Sequence, residues 1–398
     1  MKGSHNQQQG LAMLILVFMI ALAFTAFLLS FLNPTTIRIE RDKQTTRALA
    51  EAKDALIGFT MLANVADPAY LPNPDLKEPV ANFEGVQSDG TAGGMDISLL
   101  GKLPWQSLGV AALKDGWGEC LWYAVSGRFK TSPPTGALNW DTLGQIDVIR
   151  QDGSLLATNV AALIIAPSYI LSGQDRVLAN PDTPQCGGNY DARNYLDAYN
   201  VGNAILGEVN YFLGSPNNRA ALNTNNKRFV VAKNNFYNDS FVLISTEDIF
   251  RPLILRPDFS NQISALLDDA AFQAHLQAIV ISGNKGTANI DCDVTANVSN
   301  RTFCQNWSEM LLLTALPTPS TITIDGLATP VCNRVLIFGG QRTAMQTRVT
   351  AADKNTAANY LEGVNLAAFA TPVANNNNFV GNATFNPNVS SVDLLRCL

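Results

Sequence analysis

The sequence predicts an α+β protein, with a long N-terminal transmembrane helix packed on an antiparallel-sheet head that carries a helical insertion and a second, repeated sheet unit. Three observations point there. Leu11–Leu32 is apolar and holds no charge; as a helix it would be about 33 Å long, enough to cross a bilayer core. The body consists of short apolar segments divided by Gly, Pro and Asn, which suits strands and turns better than a helical bundle. Four sequence blocks recur in the same order in two parts of the chain.

Taken in order, residues 1–10 (MKGSHNQQQG) form a short polar leader, followed by the apolar helix over 11–33. That run exceeds the roughly 7–15 apolar residues of a secretory signal, and Asn33-Pro34 follows it without a small-residue cleavage pattern. Lys2 precedes the helix, while Arg38, Arg41, Lys43 and Arg47 follow it. Counting basic residues puts the body in the cytoplasm, whereas the cysteines point to an oxidising exterior, and the cysteines are given the greater weight. Residues 34–64 continue as an amphipathic helix capped by Thr35 or Thr36, with Leu49, Ala52, Leu56, Phe59 and Ala63 at i+3/i+4 spacing. A Pro/Gly/Asp-rich loop comes next. Its Asp75, Glu84, Asp89 and Asp96 offer oxygens to calcium but lack the twelve-residue EF-hand spacing, so no metal site is expected.

The first sheet unit is placed at 65–210. Asp115-Gly-Trp-Gly-Glu119 reads as a turn leading into a buried strand. Asp152-Gly153-Ser-Leu-Leu-Ala-Thr, Ala162-Leu-Ile-Ile, Gln174-Asp-Arg-Val and Asn194-Tyr-Leu-Asp form the first set of repeated blocks. Asp325-Gly-Leu-Ala-Thr, Val335-Leu-Ile-Phe, Gln346-Thr-Arg-Val and Asn359-Tyr-Leu-Glu form the second, and Trp117-Gly-Glu119 is echoed by Trp307-Ser-Glu309. Residues 211–300 read as the insertion, with strand-like Phe229–Ala232 and Phe241–Ser245, a capping signal at Thr246-Glu-Asp, and a helix over Ser260–Ile281. The second sheet unit occupies 301–398.

Charge and cysteine content narrow the function classes. The 398 residues carry 27 Lys+Arg against 33 Asp+Glu, a formal net charge of −6, which argues against a phosphate-binding surface and a nucleic-acid partner. Six cysteines without a CxxC pair read as up to three disulfides in an oxidising compartment, among 15 arithmetically possible pairings. Cys120 and Cys186 flank the first sheet unit, Cys332 and Cys397 flank the second, and Cys292 and Cys304 enclose a polar stretch of 11 residues short enough to close locally, which favours the pairs Cys120–Cys186, Cys292–Cys304 and Cys332–Cys397. With only His5 and His275, histidine-based metal sites and triads have little to draw on, and no phosphate loop, HExxH or GxSxG is present. Neither an enzyme nor a cofactor is expected.

Polar leader, Gly10 and uncharged run together resemble a type IV prepilin N-terminus. The D-x-W-G segment before an aromatic strand resembles the loop-to-sheet passage of pseudopilins. The resemblance extends from Gly10 to about Val125 and implies a pilin-like head and cutting by prepilin peptidase between Gly10 and Leu11, with methylation of the new N-terminus. Pro34 falls where pilins of this family carry a helix-bending proline. Ile15 stands where most pilins have glutamate, and large minor subunits at a filament tip characteristically lack that glutamate. The resemblance therefore implies a minor pilin or pseudopilin at or near the tip of a type IV pilus or type II secretion pseudopilus. Its partners would be other subunits through the N-terminal helix, the peptidase and inner-membrane lipid. It would be held single-pass in a bacterial inner membrane with its head in the periplasm before entering the filament. The alternative is a membrane-anchored extracytoplasmic binding or adhesion protein that never enters one.

Overall fold

The computed structural model describes residues 5–31, 34–62, 70–76, 84–88, 98–131, 137–150, 152–177, 185–197, 227–232, 237–372, 378–381, 385–386 and 393–398. Two helices open the chain, α1 (His5–Phe31) and α2 (Pro34–Met61). Ala48, Leu49, Ala52 and Leu56 of α2 are buried at i+3/i+4 spacing, while Glu51 and Asp54 face water and Lys53 turns to Asp248 (3.0 Å). Ala63 lies outside the described residues.

That buried stripe packs on a four-stranded antiparallel sheet of order β1 (Leu99–Lys102), β2 (Trp122–Val125), β5 (Ala162–Ala166) and β7 (Ser240–Ile244). Side chains alternate along a strand. Tyr123, Val125, Ala162 and Ile164 thus join the α2 core, while Trp122, Ala124, Leu163 and Ile165 join a second core behind the sheet. The second core is closed by a smaller sheet of order β4 (Leu155–Val160), β3 (Ile146–Arg150) and β6 (Lys227–Val231), in which β3 and β6 run parallel.

Helices α3 (Thr246–Ile254), α4 (Pro257–Leu267), α5 (Ala270–Ala278) and α6 (Val298–Trp307) share the α2 core with the second unit. Its sheet is β8 (Leu311–Ile324) and β9 (Leu327–Phe338), flanked by β10 (Asn378–Phe379) and β11 (Leu394–Cys397) in the order β10-β8-β9-β11. Short α7 (Ala351–Lys354) and α8 (Gly363–Ala370) lie between β9 and β10.

The repeated blocks occupy equivalent places in the two units. Strands β2, β5 and β7 correspond to the inner half of β8, the end of β9, and β11. The β3–β4 hairpin corresponds to the outer half of β8–β9, and both turns carry Asp-Gly. In the second turn Asp325 and Gly326 both have positive φ (52° and 78°), which a two-residue hairpin needs. Strands β6 and β10 add in parallel to the corresponding edges.

Four expectations are corrected. Among the described residues no helix is long and apolar enough to cross a membrane. The transmembrane helix of the predicted fold class, and with it the single-pass inner-membrane location with a periplasmic head, is therefore not supported. The head is mixed rather than antiparallel, because β6 and β10 pair in parallel. Strands β6 and β7, inside the range read as an insertion, complete the sheets of the first unit. The helix expected over 260–281 is two helices, since Asp269 accepts the Phe272 N–H (3.0 Å) and starts α5 afresh.

Candidate functional site

The most unusual surface is α1 itself. Each large apolar residue from Met13 to Ile20 is more than half exposed, and such a run circles a helix about twice. Gly10 and Leu11, the expected cleavage pair, are consecutive residues of α1, and Leu11 is 63% exposed. Ile15, at the position of the missing glutamate, is 54% exposed. Pro34 is the first residue of α2, where its missing N–H costs nothing because the first-turn N–H groups of a helix have no helical acceptor.

The head beneath is stapled by three disulfides, Cys120–Cys186, Cys292–Cys304 and Cys332–Cys397. The first ties the start of β2 to the segment before the Asn194-Tyr-Leu block, and the third joins β9 to β11. The second joins the loop after α5 to α6.

Each unit also holds a buried cationic node that sequence reading missed. In the first, Arg176 donates from Nε to the Asn194 carbonyl (2.9 Å) and from Nη1 to the Ser168 carbonyl (2.7 Å). It lies over the Tyr195 ring at 5.1 Å and pairs with Glu119 at 3.4 Å. Lys102 approaches the same ring at 5.6 Å. In the second unit, Arg348 donates from Nε to the Asn359 carbonyl (2.6 Å) and lies over Tyr360 at 4.1 Å, with Lys285 against that ring at 3.8 Å. Gln174 and Gln346 reach Asp197 (3.3 Å) and Glu362 (2.7 Å), the last residues of the two Asn-Tyr-Leu blocks. The Arg-Val and Asn-Tyr-Leu blocks were visible in sequence as repeats. That they meet is a property of the fold.

One difference between the nodes matters. Arg176 finds its carboxylate in its own unit, whereas Arg348 pairs with Asp141, which the first unit supplies (Nη1–Oδ2 3.0 Å). Glu309, the counterpart of Glu119, is taken by Lys354 at 2.8 Å. Burial pushes the Asp141 carboxyl up and Arg348 pulls it back. Desolvation lowers Lys285 to about 7, and it raises Asp393, at the start of β11, to about 7.

The remaining candidates are spent on structure. Asp75 accepts from Gly85 N (2.7 Å) and Tyr190 Oη (2.8 Å), and Glu84 accepts from the backbone of Gln185 (2.9 Å) and Cys186 (2.5 Å). Asp89 and Asp96 lie outside the described residues. Among the described residues no group of three His, Cys, Asp or Glu could hold a metal. His275 accepts the Asp291 N–H through Nε2 (3.1 Å).

Compared with known proteins, the chain matches no family model, no curated protein and no solved structure.

Proposed function

We propose that this chain is a large minor pilin or pseudopilin, cut after Gly10 and built into a type IV pilus or type II secretion pseudopilus by packing α1 against the helices of neighbouring subunits. The observation that carries the reading is the exposure of α1 around its whole circumference. A helix apolar on every side is not stable in water and requires cover. Helices of the same kind from adjacent subunits provide it through interdigitated side chains. Ile15 supports a place at or near the tip. A carboxylate there would serve to neutralise the charged N-terminus of a neighbour inside an apolar filament core, and isoleucine leaves that role empty.

N-terminal sequencing of the mature chain, made beside prepilin peptidase, tests the proposal. The expected first residue is Leu11, and Gly10→Val should block the cut. A wild-type chain that still begins at Met1 in the presence of the peptidase refutes the reading. Immunogold labelling should find few copies per filament, near one end, and label spread along the shafts would contradict the tip position.

A further inference from the structure

Beside the first turns of α2, the head forms a notch of about 450 Å³ lined by Ile37, Arg38, Arg41, Trp117 and Tyr169. Its walls are held rigidly. Buried Asp115 accepts three backbone N–H groups, from Trp117 (2.8 Å), Glu119 (3.0 Å) and Ser168 (2.8 Å). The first two fix the turn that carries Trp117. The third fixes the chain immediately before Tyr169. The turn is also fastened to α2, since Gln44 Nε2 donates to the Asp115 carbonyl (3.1 Å) and Gly116 N donates to Thr45 Oγ1 (3.0 Å). A side chain at position 116 would overlap the Arg41 carbonyl, so the close approach depends on glycine. Trp117 is thereby set 6.0 Å from the Tyr169 ring and 5.7 Å from the Arg41 guanidinium.

The notch is cationic in an acidic chain. Arg38 and Arg41 form no ion pair among the described residues, whereas the chain as a whole has a net charge of −6. Glu40, between them, faces Lys43 at 3.9 Å. A guanidinium lying over an aromatic ring keeps its N–H fork for a carboxylate. Ile37, Trp117 and Tyr169 meanwhile offer an apolar wall to whatever carries that carboxylate. Arg with Trp and Tyr is also the composition that dominates binding energy at protein interfaces.

Resting on the filament reading above, we infer that this notch receives a carboxylate-bearing, apolar segment from the head of the neighbouring, different subunit whose helix packs beside α1. The Asp115-Gly-Trp-Gly-Glu119 turn, fastened to α2, is thus an assembly contact.

The test uses the full chain, produced together with the other subunits of its filament. A photo-crosslinking p-benzoylphenylalanine replaces Ile170, which is 54% exposed and adjacent to Tyr169. It is read in the otherwise wild-type chain, in Arg38→Glu/Arg41→Glu and in Arg38→Lys/Arg41→Lys. Mass spectrometry of the adduct should identify a different chain, itself cut at a prepilin-type glycine. The adduct should fall at least about tenfold with glutamates and less than about threefold with lysines, at unchanged melting temperature. An adduct with lipid, an adduct with a second copy of this chain, an adduct indifferent to charge reversal, or none at all overturns the inference. N-terminal sequencing of the same samples separates the two levels. Cutting after Gly10 without a charge-sensitive adduct defeats the notch alone, and no cutting defeats the filament reading and the notch with it.

Discussion

Replacing Arg348 with Met should destabilise the head more than any other single change of charge. Arg348 is 1% exposed and its guanidinium is bound on every side. Nη1 pairs with Asp141 Oδ2 at 3.0 Å, both Nη atoms reach the Gly340 carbonyl at 3.1 Å, and Nε reaches Asn359. Methionine keeps much of the volume but leaves the Asp141 carboxylate, whose side chain is 2% exposed, without its countercharge. Breaking a buried pair from one side costs about 3–5 kcal/mol, because the abandoned charge stays desolvated. Arg176→Met is the internal control. Its partner Glu119 has a side chain 24% exposed and can be solvated, so the cost should be smaller, about 1–2 kcal/mol. Urea unfolding of the full chain measures both as a shift in midpoint at constant slope. Adding Asp141→Asn to Arg348→Met removes the stranded charge, and the double variant should recover at least about 1.5 kcal/mol relative to the sum of the singles. A cost below about 1 kcal/mol for Arg348→Met, or strict additivity, would refute the view that this pair locks the two units together.

Three further outcomes follow from the same structure. Asp393 rises from 3.8 unfolded to about 7 folded through desolvation, so the native state holds a proton that the unfolded chain has released. Its contribution to stability is therefore complete below about pH 4 and is lost as pH rises through about 7; Asp393→Asn should flatten that stretch of the stability–pH curve. Loss of Cys120–Cys186, which closes a 66-residue separation, should cost about 4 kcal/mol against about 3 for the 12-residue Cys292–Cys304, by comparing Cys→Ser pairs in urea. Gly144→Ala, which would drive a methyl into the Val160 carbonyl, should destabilise by at least about 2 kcal/mol and lower the melting temperature.

Local patterns were readable wherever one stripe or one turn decides the structure. The spacing of Leu49, Ala52 and Leu56 marks the buried face of α2, and the Asp-Gly pairs at 152 and 325 mark the two hairpin turns. Thr246-Glu-Asp announces α3 within one residue, since Ser245 is the cap and Asp248 its reciprocal partner. What could not be read depends on distance along the chain. Strand β7 pairs with β5 across a long intervening segment, and Asp141 meets Arg348 over a separation of 207 residues. The apolar face of 263–281 hid the break at Asp268-Asp269, because a single capping side chain outweighs a continuous stripe. The site followed the same division. The Asp115–Glu119 turn was readable, but the convergence of Trp117, Tyr169 and Arg41 on one notch was not.

The unequal settlement of the two arginines bears on how the chain is made. Arg176 meets Glu119 and the Asn194 carbonyl inside the first unit, so that unit can neutralise its buried cation before the second unit is made. Arg348 depends on Asp141, which emerged long before it and waits in the finished first half. Order of translation thus matches order of dependence. A circularly permuted chain that began at α3 would present Arg348 to a body not yet made, and should fold more slowly and aggregate more readily than the natural arrangement with the same contacts.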